Sequence, residues 1–250
     1  MYFHIVTIFP EMFRAITNYG VIGRAFKKKR IIINFFNPRD FTNKKYKSID
    51  DRPYGGGPGM LMSFEPLYAA IQKAKSLEKN TKVIYLSPQG IKFKQKEIKY
   101  LLNNKKIIFI CGRYKGIDQR IINHQVDEEW SIGDYILTGG ELAAMNIIDA
   151  TSRLIPGVIE KTESIEEDSF SNRFFDYPNY TRPQTIKNMT VPSILLSGHH
   201  KNIRIWRLKE AIGKTWMKRP DILKNISLTK EEENLLNEFK NNFYNQNKKP

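Results

Sequence analysis

Lys82-Val83-Ile84-Tyr85-Leu86-Ser87-Pro88-Gln89-Gly90, the helical stretch Lys94 to Leu102, and then Lys106-Ile107-Ile108-Phe109-Ile110-Cys111-Gly112 decide the fold. Two apolar runs rich in β-branched residues flank a segment of helical period, the strand–helix–strand alternation of a parallel α/β sheet. Working outward, residues 2–9 read as a buried strand, Glu11 to Gly20 as a helix with Pro10 near its first turn, and Ile31 to Phe36 as a further strand. Open α/β sheets hold their ligands at the carboxyl ends of strands. The turn residues fall there: Ser87-Pro88-Gln89-Gly90, then residues 111–118, then residues 132–142.

After Glu160 the texture changes. Residues 161–170, Lys-Thr-Glu-Ser-Ile-Glu-Glu-Asp-Ser-Phe, are acidic and polar without an apolar period, which predicts a linker or loop. Beyond it, residues 203–217 (Ile203, Trp206, Leu208, Ile212, Trp216) and 229–243 (Leu235, Leu236, Phe239, Phe243) predict amphipathic helices, the second starting at Thr229 with acid in its first turn. The expected organisation is an α/β domain over residues 1–160, a linker over 161–170 and a small α-helical domain over 171–250.

The 250 residues carry 41 Lys plus Arg against 26 Asp plus Glu, a net charge of +15. That balance points to a polyanionic partner. Its distribution sharpens the reading: +7 over residues 1–50, +5 over 51–100, −3 over 101–200 and +6 over 201–250. A uniform compositional drift toward lysine would not by itself spare the middle, so a long anionic partner fits better than a small phosphate. The lone cysteine, Cys111, excludes an intramolecular disulfide and no Cys/His spacing suggests zinc. The apolar N-terminus is stopped by Pro10 and Glu11, and the aliphatic runs are strand-sized, so the sequence predicts a soluble cytoplasmic protein with no membrane partner.

Tyr54-Gly55-Gly56-Gly57-Pro58-Gly59 lacks the Gly-Lys-Ser/Thr ending of a nucleotide-phosphate loop, which argues against a nucleotide hydrolase. The glycine turns after the strands are not spaced as Gly-x-Gly-x-x-Gly, and a standard dinucleotide fold is unsupported. Converging at strand ends, they build a pocket from backbone N–H and C=O groups, a way to read an adenine edge without charge.

Asp51-Arg52-Pro53-Tyr54-Gly55-Gly56-Gly57-Pro58-Gly59-Met60, Tyr85-Leu86-Ser87-Pro88-Gln89-Gly90, Gly112-Arg113-Tyr114, Glu129-Trp130-Ser131-Ile132-Gly133-Asp134-Tyr135, Ser152-Arg153 with Ile155-Pro156-Gly157, Glu167-Asp168-Ser169-Phe170 and Tyr180-Thr181-Arg182-Pro183 follow in order along nearly the whole chain. Together they resemble the bacterial tRNA (guanine-N1)-methyltransferases, the TrmD family of the SPOUT class. The resemblance implies methyl transfer from S-adenosylmethionine to N1 of guanosine 37 of tRNA, when the preceding base is also guanosine. It implies a trefoil-knotted α/β domain, an otherwise nearly forbidden topology. It further implies a homodimer whose active sites are shared between subunits, and magnesium as a possible cofactor. The alternative is a non-catalytic or weakly active RNA-binding protein of the same fold.

Carried over by motif, the cofactor would lie against Tyr85, Leu86, Ser87, Pro88, Gly112, Ile132, Gly133, Asp134, Tyr135, Ile136, Leu137, Gly139 and Gly140. Methylating guanine N1 requires loss of a ring proton, which a carboxylate takes, while charge on the neighbouring carbonyl oxygen wants a cation. Asp168 and Arg153 match the family's residues for these tasks. One position departs from the pattern: Lys115 stands where the family carries an acid. For RNA contacts the charge distribution singles out Arg24, Lys27 and Arg30 near the start, and Lys201, Arg204, Arg207, Lys214 and Arg219 around Trp206 and Trp216. No residue set predicts a metal site.

Overall fold

Five strands bond side by side in the order Ile32–Phe36, Tyr2–Val6, Lys106–Cys111, Lys82–Lys92, Glu128–Ser131, every pair parallel. In chain order the strands are β1 (Tyr2–Val6), β2 (Ile32–Phe36), the short antiparallel pair β3 (Asp50–Asp51) and β4 (Leu61–Met62), β5 (Lys82–Lys92), β6 (Lys106–Cys111) and β7 (Glu128–Ser131). The helices between them are α1 (Arg14–Thr17), α2 (Gly20–Lys27), α3 (Phe64–Leu77), α4 (Glu97–Asn104), α5 (Gln119–Gln125) and α6 (Glu141–Ser152). This computed structural model describes residues 1–160, 168–170 and 173–247, and the chain divides into two compact units, Met1–Glu160 and Lys161–Pro250.

A parallel sheet covered on both faces needs strands that are apolar throughout. Central β6 meets that demand: Ile107 to Cys111 are all buried. Alternation assigns the faces. Phe3, Ile5, Ile84, Ile107 and Phe109 pack with Ile22 and Ala25 of α2, Leu101 of α4 and Ala144, Ile147 and Ile148 of α6. Val83, Tyr85, Ile108 and Ile110 pack on the other side with Leu67, Ala70, Ile71 and Ala74 of α3 and Ile121 of α5.

β1 stops at Val6 rather than residue 9, β5 runs through the expected turn to Lys92, and two helices differ from the sequence expectation. The helix expected over Glu11 to Gly20 is a 3-10 turn, Pro10–Phe13, followed by the single turn α1, after which the chain folds back into α2. Gly20 takes φ +65°, and at Gly23 a Cβ would stand 2.9 Å from the Asn18 carbonyl carbon, so two glycines close a corner that a helix pattern hides. The helix expected from Lys94 starts at Glu97, whose carboxylate accepts from the Lys94 N–H at 3.1 Å.

The C-terminal unit holds the two-residue strands β8 (Thr185–Ile186) and β9 (Met189–Thr190) and the helices α7 (His200–Lys218), α8 (Pro220–Lys224) and α9 (Lys230–Asn247). Phe174, Ala211, Ile212 and Leu236 form its core, and the Phe239 ring is seated on Gly213. Thr229 and Glu232 cap α9 reciprocally: the Thr229 N–H donates to Glu232 Oε2 at 2.8 Å, and the Glu232 N–H donates to Thr229 Oγ1 at 3.2 Å. Of the linker expected over residues 161–170, residues 161–167 lie outside the described residues.

Phe109 is fully buried and stacked on Phe3 with ring centroids 6.1 Å apart. Phe109→Ala should cost about 3–5 kcal/mol of stability. Urea unfolding followed by circular dichroism checks this, and a loss below about 1 kcal/mol would contradict a sheet core centred on β6.

Candidate active site

Loops from the carboxyl ends of β5, β6 and β7 meet above the sheet. β5 pairs with β7 as far as Leu86–Trp130, leaves the ladder through residues 87–90, and pairs again at Ile91–Trp130 and Lys92–Ser131. The excursion closes only because residue 90 is glycine, since a Cβ there would sit 2.4 Å from backbone atoms of Glu129 and Trp130. From β6 the chain turns through residues 112–116, and from β7 the loop 132–140 reaches across to it. The Gly140 N–H donates to the Gly112 carbonyl at 3.0 Å, and Arg113 bridges Gly139. A Cβ on Gly140 would stand 2.8 Å from Cys111 Cα, so the two loops touch backbone to backbone.

The loops enclose a cavity of about 380 Å³ lined by residues 85–88, 112–116, 130–133, 135–140 and Ala143. Twelve of the thirteen residues that the sequence pattern assigned to a cofactor line it. Asp134 does not, and pairs with Lys92 instead. Leu86, Trp130, Ile132, Ile136, Leu137 and Ala143 give apolar walls, with the loop backbone supplying polar groups. That chemistry, and a volume within the usual range for small-ligand sites, fits a nucleoside-sized molecule. Burial, with the Glu129 charge adding to it, pushes the Tyr85 hydroxyl up to about 12. Tyr85 is therefore a neutral wall and no base. Burial likewise pushes the Cys111 thiol up, leaving it inert. Lys115 stands exposed at the rim, its Cβ beside Gly59 of the glycine-rich loop.

One element of the site escaped the sequence reading. Glu141, the first residue of α6, is fully buried. Thr7 Oγ1 donates to its Oε1 at 2.8 Å, and Arg113 Nε stands 2.9 Å from its Oε2, an ion pair whose N–H points off the line of a good hydrogen bond. The Arg113 guanidinium also lies 4.5 Å over the Phe9 ring and donates to the Thr138 carbonyl at 3.3 Å. Glu141 thereby ties the end of β1 to both cavity loops. Its partners lie 134 and 28 residues away in sequence, and only its place directly after Gly139-Gly140 hinted at a role.

The two residues assigned to chemistry belong to different units. Arg153 caps the C-terminus of α6, half-buried, its N–H donating to the Asp149 carbonyl at 3.2 Å. Asp168 is half-buried in the turn at residues 168–170 of the C-terminal unit. Of the RNA candidates, Arg24, Lys27 and Arg30 are exposed on and just beyond α2. Lys201 and Arg204 are exposed on the first turns of α7. Arg204 and Arg207 line a cavity of about 1200 Å³ together with Arg173, Tyr177, Tyr180 and Arg182, and Arg207 lies 4.4 Å over the Tyr177 ring. Arg219 makes a two-point pair with Asp221 at 2.8 and 2.7 Å. Lys214 is turned inward onto Asp176. Among the described residues no three His, Cys, Asp or Glu side chains gather as metal ligands, and no helix is long and apolar enough to cross a membrane.

Residues 1–225 match the family model described as tRNA (Guanine-1)-methyltransferase TrmD. The chain is 73% identical over 223 residues to a protein of Buchnera aphidicola subsp. Acyrthosiphon pisum named tRNA (guanine-N(1)-)-methyltransferase, covering 89% of this chain and 94% of that one. Proteins of the same name from Shewanella sediminis and Vibrio atlanticus are 56% and 55% identical, over 94% and 96% of this chain and 98% of each relative.

Glu141→Gln leaves Arg113 beside a neutral amide, and removing one partner of a buried pair costs about 3–5 kcal/mol. The double variant Glu141→Met with Arg113→Met should recover part of that loss. Thermal unfolding of the three variants measures it, and a Glu141→Gln chain as stable as wild type would show that the pair does not hold the loops.

Proposed function

Because the chain belongs to the tRNA (guanine-1)-methyltransferase family TrmD, we propose that its loop-built cavity holds S-adenosylmethionine and that guanosine 37 of tRNA is the residue methylated. The protein is a tRNA (guanine-N1)-methyltransferase. The observation that carries the site assignment is the convergence of residues 85–88, 112–116 and 130–140 on one cavity with apolar walls and backbone polar groups.

When bound, S-adenosylmethionine would supply an electrophilic methyl group, the methyl–sulfur bond breaking as the methyl passes to N1 and S-adenosylhomocysteine leaving. The chain's own part is to hold, to exclude water and to move one proton. Leu86, Ile132 and Leu137 would keep water from the transferring group, and the backbone of residues 85–88 and 132–140 would hold the adenine edge. Asp168 accepts the N1 proton as the N1–methyl bond forms. Arg153 presents its planar guanidinium to the carbonyl oxygen on which charge builds. These two roles rest on the motif match and on each residue's half-buried place in its unit.

The same reading carries the trefoil knot of the SPOUT class, with residues 1–160 as the catalytic domain and 171–250 as the tRNA-binding domain. It carries a homodimer whose active sites draw on both subunits, and the cytoplasm as the place where tRNA is met. Arg24, Lys27 and Arg30, with Lys201, Arg204, Arg207 and Arg219, are the proposed phosphate contacts, and the arginine–tyrosine cavity in the C-terminal unit suits single-stranded RNA. Magnesium, where it takes part, is assigned to the RNA phosphates, since among the described residues no cluster of protein ligands gathers.

Asp168→Asn should lower single-turnover methylation by about 10²–10⁴-fold with cofactor affinity nearly intact. Arg153→Lys, which keeps the charge but not the fork, should lose about tenfold or more. The assay is labelled methyl transfer into tRNA, with nearest-neighbour analysis and a transcript changed at the target guanosine. Wild-type rates in either variant refute the corresponding role.

Lys115 favours a second reading, a weakly active RNA-binding protein of the same fold, because it places a cation at the rim of a cavity meant for a sulfonium. Lys115→Glu should tighten S-adenosylmethionine binding by roughly tenfold, about 1.4 kcal/mol, at low salt. Calorimetry reads this, and unchanged affinity removes the motive for that reading. A wild-type chain that transfers no label to tRNA would establish it.

A further inference from the structure

The turn that carries Asp168 is held from behind. Ser169 Oγ donates to Asp176 Oδ1, and the Asp176 N–H donates back to Ser169 Oγ at 3.1 Å. The Phe170 and Phe175 rings meet edge to face at 5.3 Å. The segment around Asp176 is in turn docked on α7. Phe174 is buried with Ala211, Ile212 and Leu236. The Phe175 N–H donates to Thr215 Oγ1 at 2.8 Å. Lys214 Nζ donates to the Asp176 carbonyl at 3.1 Å and stands 3.6 Å from Asp176 Oδ1. A continuous line of contacts therefore runs from Lys214 through Asp176 to Ser169, the residue beside Asp168.

Charge reasoning from sequence places Lys214 among the phosphate contacts, and its surroundings argue otherwise. Its side chain is 28% exposed and its ammonium already serves a backbone carbonyl and a carboxylate. The Ser169 hydroxyl first, and the Lys214 charge after it, hold the Asp176 carboxyl below the usual range against partial burial, so the acceptor stays ionised. Swinging Lys214 out to a phosphate would strip Asp176 of its cation and release the turn.

We propose that Lys214 is a positioning residue for methyl transfer, fixing Asp176 and Ser169 so that the Asp168 turn is presented in one arrangement. The proposal rests on Asp168 being the base. A base displaced by about 1 Å loses on the order of 10²-fold in rate. Lys214 thus governs the chemical step, while Lys201 and Arg204 on the same helix govern grip.

Single-turnover methylation at saturating tRNA and S-adenosylmethionine, alongside tRNA binding as a function of salt, separates the two roles for Lys214→Met, Lys214→Arg, Ser169→Ala and Asp168→Asn. Lys214→Met and Ser169→Ala should lower the saturated rate about tenfold to a hundredfold, with tRNA affinity and its salt slope as in wild type. Lys214→Arg, which restores a donor to Asp176, should recover most of the rate and keeps the test valid if Lys214→Met folds poorly. A Lys214→Met chain that keeps its saturated rate but binds all tRNAs more weakly, with the salt slope reduced by about one, is a lost phosphate contact and overturns the proposal. Full rate in Ser169→Ala overturns it as well. If Lys214→Met is at full rate while Asp168→Asn is inactive, the positioning role alone falls. If Asp168→Asn is at full rate, the base assignment falls and the positioning role with it.

Discussion

A carboxylate wholly removed from water stays charged only if cations and donors replace its hydration. Glu141 is buried against the Thr7 hydroxyl and the Arg113 guanidinium, and the rest of the site depends on that contact. Thr7 closes the end of β1, Arg113 belongs to the loop after β6, and Glu141 itself ends the loop after β7. Satisfying one buried charge therefore fixes three chain segments at the same edge of the sheet. The cavity lies on those segments, so its shape is set by this interaction, one member of which, Arg113, also borders it. Arg113 shows the double duty: its guanidinium serves Glu141 and the Thr138 carbonyl while its side chain still borders the cavity.

Close backbone approach is the second constraint, and it follows from the first. Loops drawn together by Arg113 and Glu141 leave no room for side chains at their contact, which is why glycine occupies positions 139 and 140, whereas at Gly112 a Cβ would meet the Tyr85 ring. The same logic operates at Gly90, where the excursion from β5 rejoins the ladder against Trp130. A pocket assembled this way presents N–H and C=O groups rather than side-chain charge, and that suits a ligand with a neutral heterocycle.

Regularity in the sequence made the sheet legible and concealed its exceptions. β6 is a continuous apolar run, and its bounds agree with the residues that read as a strand, because a strand buried on both faces admits nothing polar. Ser87-Pro88-Gln89-Gly90 reads as the end of a strand, yet β5 resumes at Ile91, and no local signal announces a resumption that depends on β7. The corner at Gly20 and Gly23 is hidden for a similar reason: each glycine alone is tolerated in a helical pattern, and only the positive φ of Gly20 together with the close approach of Gly23 to Asn18 shows the fold-back. Glu141 was invisible as a partner because periodicity speaks to neighbours, and Thr7 is 134 residues away. Twelve of the cavity residues were legible through a motif match, and Asp134, inside the same motif, turns to Lys92. The knot was reachable only through the resemblance, since general rules of chain topology argue against it.

Net charge is the coarsest of the signals, and the C-terminal unit shows how it divides. Arg219 and Lys214 both sit against carboxylates, but the pairings differ in kind. The Arg219–Asp221 pair is formed by neighbours in full solvent, where water and salt screen it, so a phosphate can replace Asp221 with little lost. Lys214 is partly withdrawn from water and also holds a main-chain carbonyl, so its partner is not exchangeable in that way. Lys201 and Arg204, exposed near the start of α7, are open to solvent and to phosphate alike. A cation contributes to nucleic-acid affinity only to the extent that it exchanges water and counterions for phosphate without breaking structure. By that criterion the +6 of the last fifty residues overstates the grip, and the excess is charge that shapes the unit which carries Asp168.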